Sequence, residues 1–144
     1  MIASAGGRTD VLPTTLRGPT IASTAALQPR IMEVGIFNTT AVAVAVALQR
    51  VSATGTVGTA LTEGGESDLK QTPVGIVTNT GSTNGTAVGS PSRQASLGAA
   101  IGSGVIWTFS EQGYILDYAT GSGLMIICPT GTAQHLDFYF VWRE

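Results

Sequence analysis

The sequence QHLDFYFVWRE, residues 134–144, decides the fold class because large apolar side chains recur at every second position. Those side chains are Leu136, Phe138, Phe140 and Trp142, and the positions between them hold His135, Asp137, Tyr139 and Arg143. Successive side chains of a β-strand point to opposite faces of its sheet. The pattern therefore predicts a strand with one face in a hydrophobic core and the other face toward solvent.

Residues 41–51 show the same period of two in a different composition. Val42, Val44 and Val46 alternate with alanines, which predicts a strand with one larger and one smaller apolar face. Alanine also favours helix, but the strict alternation and the β-branched residues favour strand. Both faces of such a strand can be covered closely by neighbouring parts of the protein.

The rest of the chain after residue 30 divides into short segments of β character, separated by turns rich in Gly, Asn and Ser. Further strands are predicted at residues 31–37, 56–61, 73–80, 86–88, 105–109, 114–118 and 124–128. Residues 96–104 are assigned to a helical turn or a crossing loop. About eight short strands with almost no helix predict an all-β fold, a β-sandwich or jelly roll, for residues 30–144.

Residues 1–29 differ in composition from the rest, with prolines at positions 13, 19 and 29 and only isolated apolar side chains. No helical or strand period runs through them, which predicts an extended N-terminal arm outside the β domain. Proline reduces the conformational entropy that such a segment loses when it settles on a surface. We expect the arm to bind a partner through Arg8, Val11, Leu12, Leu16, Arg17, Ile21 and Leu27.

The chain of 144 residues is 43% hydrophobic but only 11% charged, where a charged share of about 25% is usual. Low surface charge favours association, so we expect a surface that other protein chains cover, with a Thr- and Ser-rich monomer as the alternative. A formal net charge of −2 and the lack of a basic run argue against nucleic acid and membrane as partners. No window is apolar enough for a membrane-spanning helix, and no signal peptide is visible, which predicts a soluble protein made in a reducing compartment.

Candidate catalytic and metal-binding groups are few. The single histidine, His135, has no second His or Cys neighbour to complete a metal site, and no nucleophile elbow accompanies it. Cys128 lies in an apolar run and is predicted to be a buried thiol. The glycine-rich residues 98–104 are followed by no predicted helix, so they are unsuited to bind a nucleotide phosphate. We therefore predict no enzyme activity, no metal and no cofactor.

Two sets of carboxylates leave alternatives open. Glu63, Glu66 and Asp68 lie in a glycine-rich loop and could bind Ca²⁺, although their spacing fits no calcium loop and a solvated acidic loop is favoured. Glu111 and Asp117 could act as a glycosidase pair, but they flank one predicted hairpin without a visible aromatic cleft. Neither set changes the prediction of a structural or binding protein.

The C-terminal half resembles known proteins. Residues 96–109, SLGAAIGSGVIWTF, and the ending formed by residues 123–129, 131–134 and 136–144 are similar to small structural proteins of tailed bacteriophages. The sequence ALQR at residues 47–50, which ends a pair of predicted strands, is similar as well. Within that group the chain resembles a capsid decoration, or cement, protein; the resemblance covers roughly residues 30–144 and is strongest after Ser96.

The resemblance implies a virion protein on the capsid exterior, made in the host cytoplasm. Such proteins bind the major capsid protein, often as homotrimers, and reinforce contacts between major capsid subunits. The alternative is a receptor- or glycan-binding module of a phage fibre or tail, for which Trp107 and Tyr114 are the candidate aromatic residues. If the chain is a decoration protein, we expect a Thr- and Ala-rich surface that other chains cover. If it is a receptor- or glycan-binding module, we expect an exposed aromatic cluster at one end of the domain.

Overall fold

The computed structural model describes residues 1–12, 17–24, 28–66, 77–83, 85–117, 119–131 and 133–144. This described part is built from β-strands without any helix. Its strands in chain order are β1 (Ile2–Arg8), β2 (Gly18–Ala22), β3 (Arg30–Asn38), β4 (Val44–Ala53), β5 (Gly64–Gly65), β6 (Val77–Ser82), β7 (Thr86–Ala87), β8 (Arg93–Leu97), β9 (Gly104–Thr108), β10 (Tyr114–Ile115), β11 (Gly123–Gly131) and β12 (Leu136–Arg143). The prediction of an all-β fold is confirmed.

The strands form two antiparallel sheets that pack face to face as a β-sandwich. In sheet 1 the order is β5–β1–β12–β3, and both β9 and β10 pair with the other side of β3. In sheet 2 the order is β6–β2–β11–β4, and both β7 and β8 pair with the other side of β4. The predicted β-sandwich is confirmed, and its jelly-roll form stays a prediction.

The main core lies between the sheets, and β12 contributes its largest side chains. Phe140 and Trp142 have no exposed surface, and Leu136 and Phe138 are buried beside them. The facing core residues of sheet 2 are Val44, Val46, Leu48, Leu124, Ile126 and Cys128. This confirms the prediction of which face of the last strand is buried in the core.

Sheet 2 is buried on both sides, as the alternation of valine and alanine predicts. Val44 and Val46 belong to the main core, whereas Ala47 belongs to a second cluster on the opposite face. That second cluster consists of Ala47, Val51, Met125 and Ile127. Val42 precedes β4 and stays exposed. The outer face of sheet 2 is thus covered, and the outer face of sheet 1 is the more open one.

The N-terminal segment is part of the sandwich, which corrects the prediction of an arm at residues 1–29 and of a domain boundary after it. β1 pairs with β12 along its whole length, and β2 lies between β6 and β11. In the β1–β12 register, Ala3 stands opposite Trp142. Likewise, Ala5 stands opposite Phe140. Small residues give too weak a hydrophobic pattern to reveal a strand, yet they leave room for the two aromatic rings.

Some predicted strand boundaries are also corrected. Residues 56–61 form isolated bridges at Thr56 and Ala60 instead of the predicted strand. The strand predicted over residues 73–80 begins at Val77 within the described part, and the residues before it lie outside that part. β8 extends into the segment predicted as a helical turn or crossing loop. Segments rich in Gly and Thr lack the alternation that locates strand ends.

The two ends of the chain lie side by side. The Glu144 N–H donates to the Met1 carbonyl oxygen at 3.0 Å, and the Met1 amino group donates to the Glu144 carbonyl oxygen at 3.2 Å. These bonds add a further rung to the β1–β12 ladder. Arg30 and Arg143 are register partners close by on β3 and β12. This end of the sandwich therefore carries charge.

Candidate interaction surfaces

Loops from both sheets meet at the opposite end of the sandwich, which we call the loop end. β1 and β3 end here, β9 and β12 begin here, and the link from β3 to β4 crosses from one sheet to the other. The loop end consists of residues 9–12, 39–43, 98–103 and 133–135. By sequence, these loops contain a single formally charged residue, Asp10.

Asn38, the last residue of β3, connects the loops to one another. Its side chain is buried, and Nδ2 donates to the carbonyl oxygens of Val42 at 2.7 Å and Gly98 at 3.0 Å. Its Oδ1 accepts from Gln134 Nε2 at 3.0 Å and from the Thr40 N–H at 3.1 Å. Both donor hydrogens and the oxygen of the amide are thus used, so one buried side chain fixes three loops relative to each other.

A second set of hydrogen bonds attaches residues 9–12 to the start of β12. The Thr9 N–H donates to the Leu136 carbonyl oxygen at 2.8 Å, and the Leu136 N–H donates to Thr9 Oγ1 at 2.9 Å. His135 Nδ1 donates to the Thr9 carbonyl oxygen at 2.6 Å, so this ring nitrogen carries the proton. His135 therefore supports the loop end. In the described part of the chain, no group of three or more His, Cys, Asp or Glu could hold a metal ion.

Apolar side chains project from these fixed loops. Val11 is 43% exposed, Val42 is 46% exposed and Ile101 is 76% exposed. Each belongs to a different loop. The loop end is therefore a hydrogen-bonded, nearly uncharged surface with three exposed apolar side chains.

An open pocket lies beside the loop end. Its volume is about 190 Å³, and its lining consists of Ala43, Val44, Ala45, Ser96, Leu97 and Thr130. It forms near the end of β8, where the pairing of β4 with β11 is irregular between Ile127 and Thr130. None of these lining side chains ionises, and Ser96 and Thr130 bring hydroxyl groups to the pocket.

The outer face of sheet 1 presents aromatic side chains. Tyr139 on β12 lies between Gly6 on β1 and Gly35 on β3 in the register. A Cβ atom at Gly35 would collide with the Tyr139 ring, so glycine lets the ring lie across β3. The ring stacks on Phe37, with centroids 6.3 Å apart and planes 27° apart. Exposed Ile106 on β9 continues the row beyond Gly35. We call Phe37, Ile106 and Tyr139 the aromatic face.

Polar groups support and border the aromatic face. The Tyr139 hydroxyl donates to Glu33 Oε1 at 2.5 Å. Burial, together with this hydrogen bond, raises the pKa of Tyr139 to about 12. Arg8 Nε and Nη2 donate to the two carboxylate oxygens of Asp137 at 2.8 and 3.1 Å, and this pairing lowers the pKa of Asp137. The arginine and the carboxylate thus neutralise each other at the border.

No family model, curated protein or solved structure matches this chain. Within the residues that the structure describes, no helix is long and apolar enough to cross a membrane. Function therefore has to be inferred from the loop end, the pocket and the aromatic face, together with the resemblance in the sequence.

The residues predicted to bind a partner from an arm lie in different environments. Leu12 and Ile21 are buried in the core of the chain itself, which corrects their assignment to a partner. Val11 is exposed at the loop end, and Arg8 is exposed beside the aromatic face. Arg17 is partly buried, and its Nε has no hydrogen-bond partner. Two further residues of that prediction lie outside the described part: Leu16 and Leu27.

Trp107 and Tyr114, the aromatic residues predicted for a receptor or glycan site, are partly buried and pack against the core. The Arg50 guanidinium lies over the Tyr114 ring at 4.8 Å, and Tyr114 meets Phe109 edge-on at 5.4 Å. Arg93 lies over Phe109 at 5.6 Å. This row of cations and rings connects the two sheets at one edge of the sandwich, so its role is structural.

Two of the acidic residues considered for other chemistry contact other parts of the fold. Asp117 forms an ion pair with Arg50, with 3.6 Å between Oδ1 and Nη1. The Glu66 N–H donates to the Ile2 carbonyl oxygen at 2.8 Å and extends the pairing of β5 with β1. Asp68 of the calcium set lies outside the described residues.

Sequence reasoning missed the residues that organise both surfaces. Asn38 is followed by two threonines between two strands, and the bond from the Thr40 N–H to Asn38 Oδ1 is the Asx turn that such a sequence favours. That signal was available. The aromatic face has no comparable signal, because Gly6 and Gly35 flank Tyr139 only through the strand register.

Proposed function

We propose that this protein is a structural virion protein that binds the outer surface of a phage capsid and reinforces contacts between major capsid subunits. Its partners are the major capsid protein and further copies of itself in a homotrimer. It is made in the host cytoplasm and acts on the capsid exterior. The sequence resemblance supports the proposal, and the aromatic face is the structural observation that carries it.

The composition of the aromatic face suits a protein partner. Tyr, Phe and Arg are enriched in protein interfaces, and Tyr and Arg are among the residues that contribute most of the binding energy. Tyr139 and Phe37 supply the rings, and Arg8 at the border is neutralised by Asp137. The face lies on β12 and β3 near the middle of sheet 1, so it can lie flat against a broad surface such as a capsid.

The aromatic face is organised before any partner binds. Glu33 holds the Tyr139 hydroxyl, Phe37 stacks beside the ring, and β12 is paired on both edges. A side chain that is already fixed loses little rotamer entropy on binding. We therefore expect Tyr139 to contribute more to capsid binding than any other residue of this face.

Co-sedimentation with capsids tests the proposal. The capsids are those of the phage that encodes this chain, assembled without it. A central interface aromatic is worth about 2 kcal/mol or more, so Tyr139→Ser is expected to weaken binding by at least roughly 30-fold. Tyr139→Phe keeps the ring and its stack on Phe37 and loses only the hydrogen bond to Glu33, so it is expected to bind nearly as the wild type does.

Val88→Ser is the matched control, because Val88 is an apolar side chain 46% exposed on the link between β7 and β8 of sheet 2. Thermal melts of all variants establish that the sandwich is folded under the binding conditions. The proposal fails if the wild-type protein does not sediment with capsids. It also fails if Tyr139→Ser binds as tightly as Val88→Ser.

A receptor- or glycan-binding module of a phage fibre or tail is the second candidate function. It is favoured by one observation, an aromatic ring on an open sheet face with Glu33 and the Arg8–Asp137 pair around it. Such a ring can stack on a sugar, and carboxylate and guanidinium groups can bond its hydroxyls. Binding of defined oligosaccharides that Tyr139→Ser abolishes, without any capsid binding, would favour this candidate.

A further inference from the structure

β9 lies at an open edge of sheet 1, because within the described part of the chain it pairs with β3 and with no second strand. We propose that this edge joins two copies of the protein, in which β9 of one copy pairs antiparallel with β9 of a second copy about a two-fold axis at Ile106. A two-fold contact between identical edges cannot close a ring of three, so it differs from the homotrimer named above. The inference rests neither on that homotrimer nor on capsid binding.

The β9 edge lacks the features that keep a free strand edge from pairing. Proteins shield such edges with very short strands, charged side chains, proline or β-bulges. β9 reads GVIWT, without charge or proline, and its register with β3 runs without a bulge. The other edge strands of the described part are shielded, because β5, β7 and β10 have two residues each, Ala60 bridges to Asn79 on β6, and β8 begins with Arg93. β9 is therefore the edge best suited to accept a further strand.

The hydrogen bonds at the two ends of β9 show which of its backbone groups are free. The Phe109 N–H donates to the Met32 carbonyl oxygen at 2.9 Å, and the Asn38 N–H donates to the Ser103 carbonyl oxygen at 2.7 Å. Hydrogen-bonded and non-hydrogen-bonded pairs alternate along an antiparallel ladder, so every second residue of β9 turns its N–H and C=O away from β3. These residues, all of them exposed, are Gly104, Ile106 and Thr108.

Two β9 strands match each other along this free edge. When Ile106 stands opposite Ile106 of the second copy, Gly104 of each copy stands opposite Thr108 of the other. Each of these three opposite pairs exchanges two hydrogen bonds, so six bonds cross the axis. An extended polypeptide offers N–H and C=O groups at this spacing, whereas a sugar or a lipid does not.

The side chains favour a second copy over an unrelated strand. Ile106 is 52% exposed on the outer face, whereas Val105 and Trp107 are partly buried and pack against the core from the inner face. A strand added here therefore has to be apolar on both faces at its centre, and β9 itself meets that requirement. In the two-fold register, Val105 stands opposite Trp107 of the other copy, and the two Ile106 side chains meet on the outer face. Pairs of β-branched and aromatic side chains across strands stabilise a sheet.

The pairing also brings two aromatic faces onto one side of a continuous sheet. Residues directly opposite each other in antiparallel strands point to the same face, so the outer faces of both copies point the same way. The joined sheet runs from β12 through β3 and β9 of one copy into β9, β3 and β12 of the second. Neighbouring strands lie about 4.8 Å apart, which places the two Tyr139 residues roughly 24 Å from each other. Two such faces on one partner surface bind more tightly than one.

Disulfide trapping of the purified protein, without capsids, tests the contact and its register. In Ile106→Cys the two thiols face each other across the axis with Cα atoms about 5.5 Å apart, which a disulfide can span. We expect mild oxidation to give a covalent dimer in a non-reducing gel. Thr108→Cys is the matched control, because its two copies lie roughly 14 Å apart in the same register and no dimer is expected. The wild type supplies the baseline, since its Cys128 is buried.

A second substitution in the Ile106→Cys background tests the hydrogen bonds across the axis. The Thr108 N–H points away from β3, so Thr108→Pro removes a donor from the free edge and leaves the ladder with β3 intact. Two of the six bonds across the axis are lost, which is expected to slow the trapping roughly 10-fold. Thermal melts establish that the double variant is folded under the oxidising conditions.

Three outcomes overturn the inference: an Ile106→Cys variant that gives no more dimer than the wild type, a Thr108→Cys variant that gives as much, and trapping that Thr108→Pro leaves unchanged. Failure of the capsid proposal is a separate result. Tyr139→Ser leaves β9 unaltered, so in combination with Ile106→Cys it is expected to be trapped as a dimer whether or not it binds capsids.

Discussion

Replacing Asn38 by alanine tests the hydrogen bonds that hold the loop end together. Alanine leaves the Gln134 amide without its Asn38 partner at a position where Gln134 is only 7% exposed. A buried polar group without a partner costs about 1–3 kcal/mol. The lost bonds to the carbonyl oxygens of Val42 and Gly98 add about 0.5–1.5 kcal/mol each, because these residues are open to water. We expect the free energy of unfolding to fall by about 3 kcal/mol.

Urea titration followed by tryptophan fluorescence measures this loss, since the fully buried Trp142 contributes to the signal. In a thermal melt, a loss of that size corresponds to a decrease in Tm of roughly 6–12 °C. Thr39→Ala is the matched control. Thr39 Oγ1 donates to the His135 carbonyl oxygen at 2.6 Å in an exposed site, so its loss is expected to cost less than about 1 kcal/mol. Equal losses in the free energy of unfolding for Asn38→Ala and Thr39→Ala would refute the reasoning. The buried amide would then stabilise the fold no more than an exposed hydroxyl does.

Three further predictions concern single side chains of the sandwich. Trp142→Ala is expected to lower the free energy of unfolding by about 3–5 kcal/mol, whereas Arg143→Ala on the exposed face changes it by less than about 0.5 kcal/mol. Equal effects in urea titrations would mean that β12 buries its other face. Tyr139 is expected to ionise near pH 12 in an absorbance titration, because burial and the bond to Glu33 raise its pKa to about 12. Unfolded tyrosine ionises near pH 10, so this group leaves stability unchanged below about pH 10 and removes stability as the pH rises from there through 12; ionisation of Tyr139 near pH 10 would contradict the contact. Burial raises the pKa of the Cys128 thiol to about 11, so at neutral pH a disulfide reagent is expected to modify it only as fast as the protein unfolds. Rapid modification of the native protein would show that the thiol is accessible.

The strands that could be predicted from the sequence are those whose neighbouring side chains differ strongly in size or polarity. β12 alternates aromatic and polar residues, so both its period and its buried face follow from the sequence alone. β1 alternates Ala with Ser and Gly, and nothing local indicates that Ala5 faces a phenylalanine ring. Its position depends on the size of Phe140, which stands more than a hundred residues away in the chain.

The candidate surfaces could be predicted less well, because they depend on how distant segments meet. An isolated apolar residue such as Leu12 or Ile21 is compatible with a partner's surface and with the chain's own core, and only the fold shows that both belong to the core. The Asx turn at Asn38 is a local property, but the approach of Gln134 to the same amide is not. Ile101 is recognisable in sequence only as one apolar residue among glycines and alanines.

The central position of β12 in sheet 1 has a consequence for the order in which the chain is made. β1 leaves the ribosome before β12, and this long partner strand is completed roughly 130 residues later, about 6–26 s at ordinary rates of translation. An unpaired apolar strand is prone to aggregate during such an interval. β1 reads IASAGGR, so it exposes little apolar surface while it is unpaired. The small side chains that make room for two aromatic rings in the finished sheet therefore also protect the nascent chain while it is still incomplete.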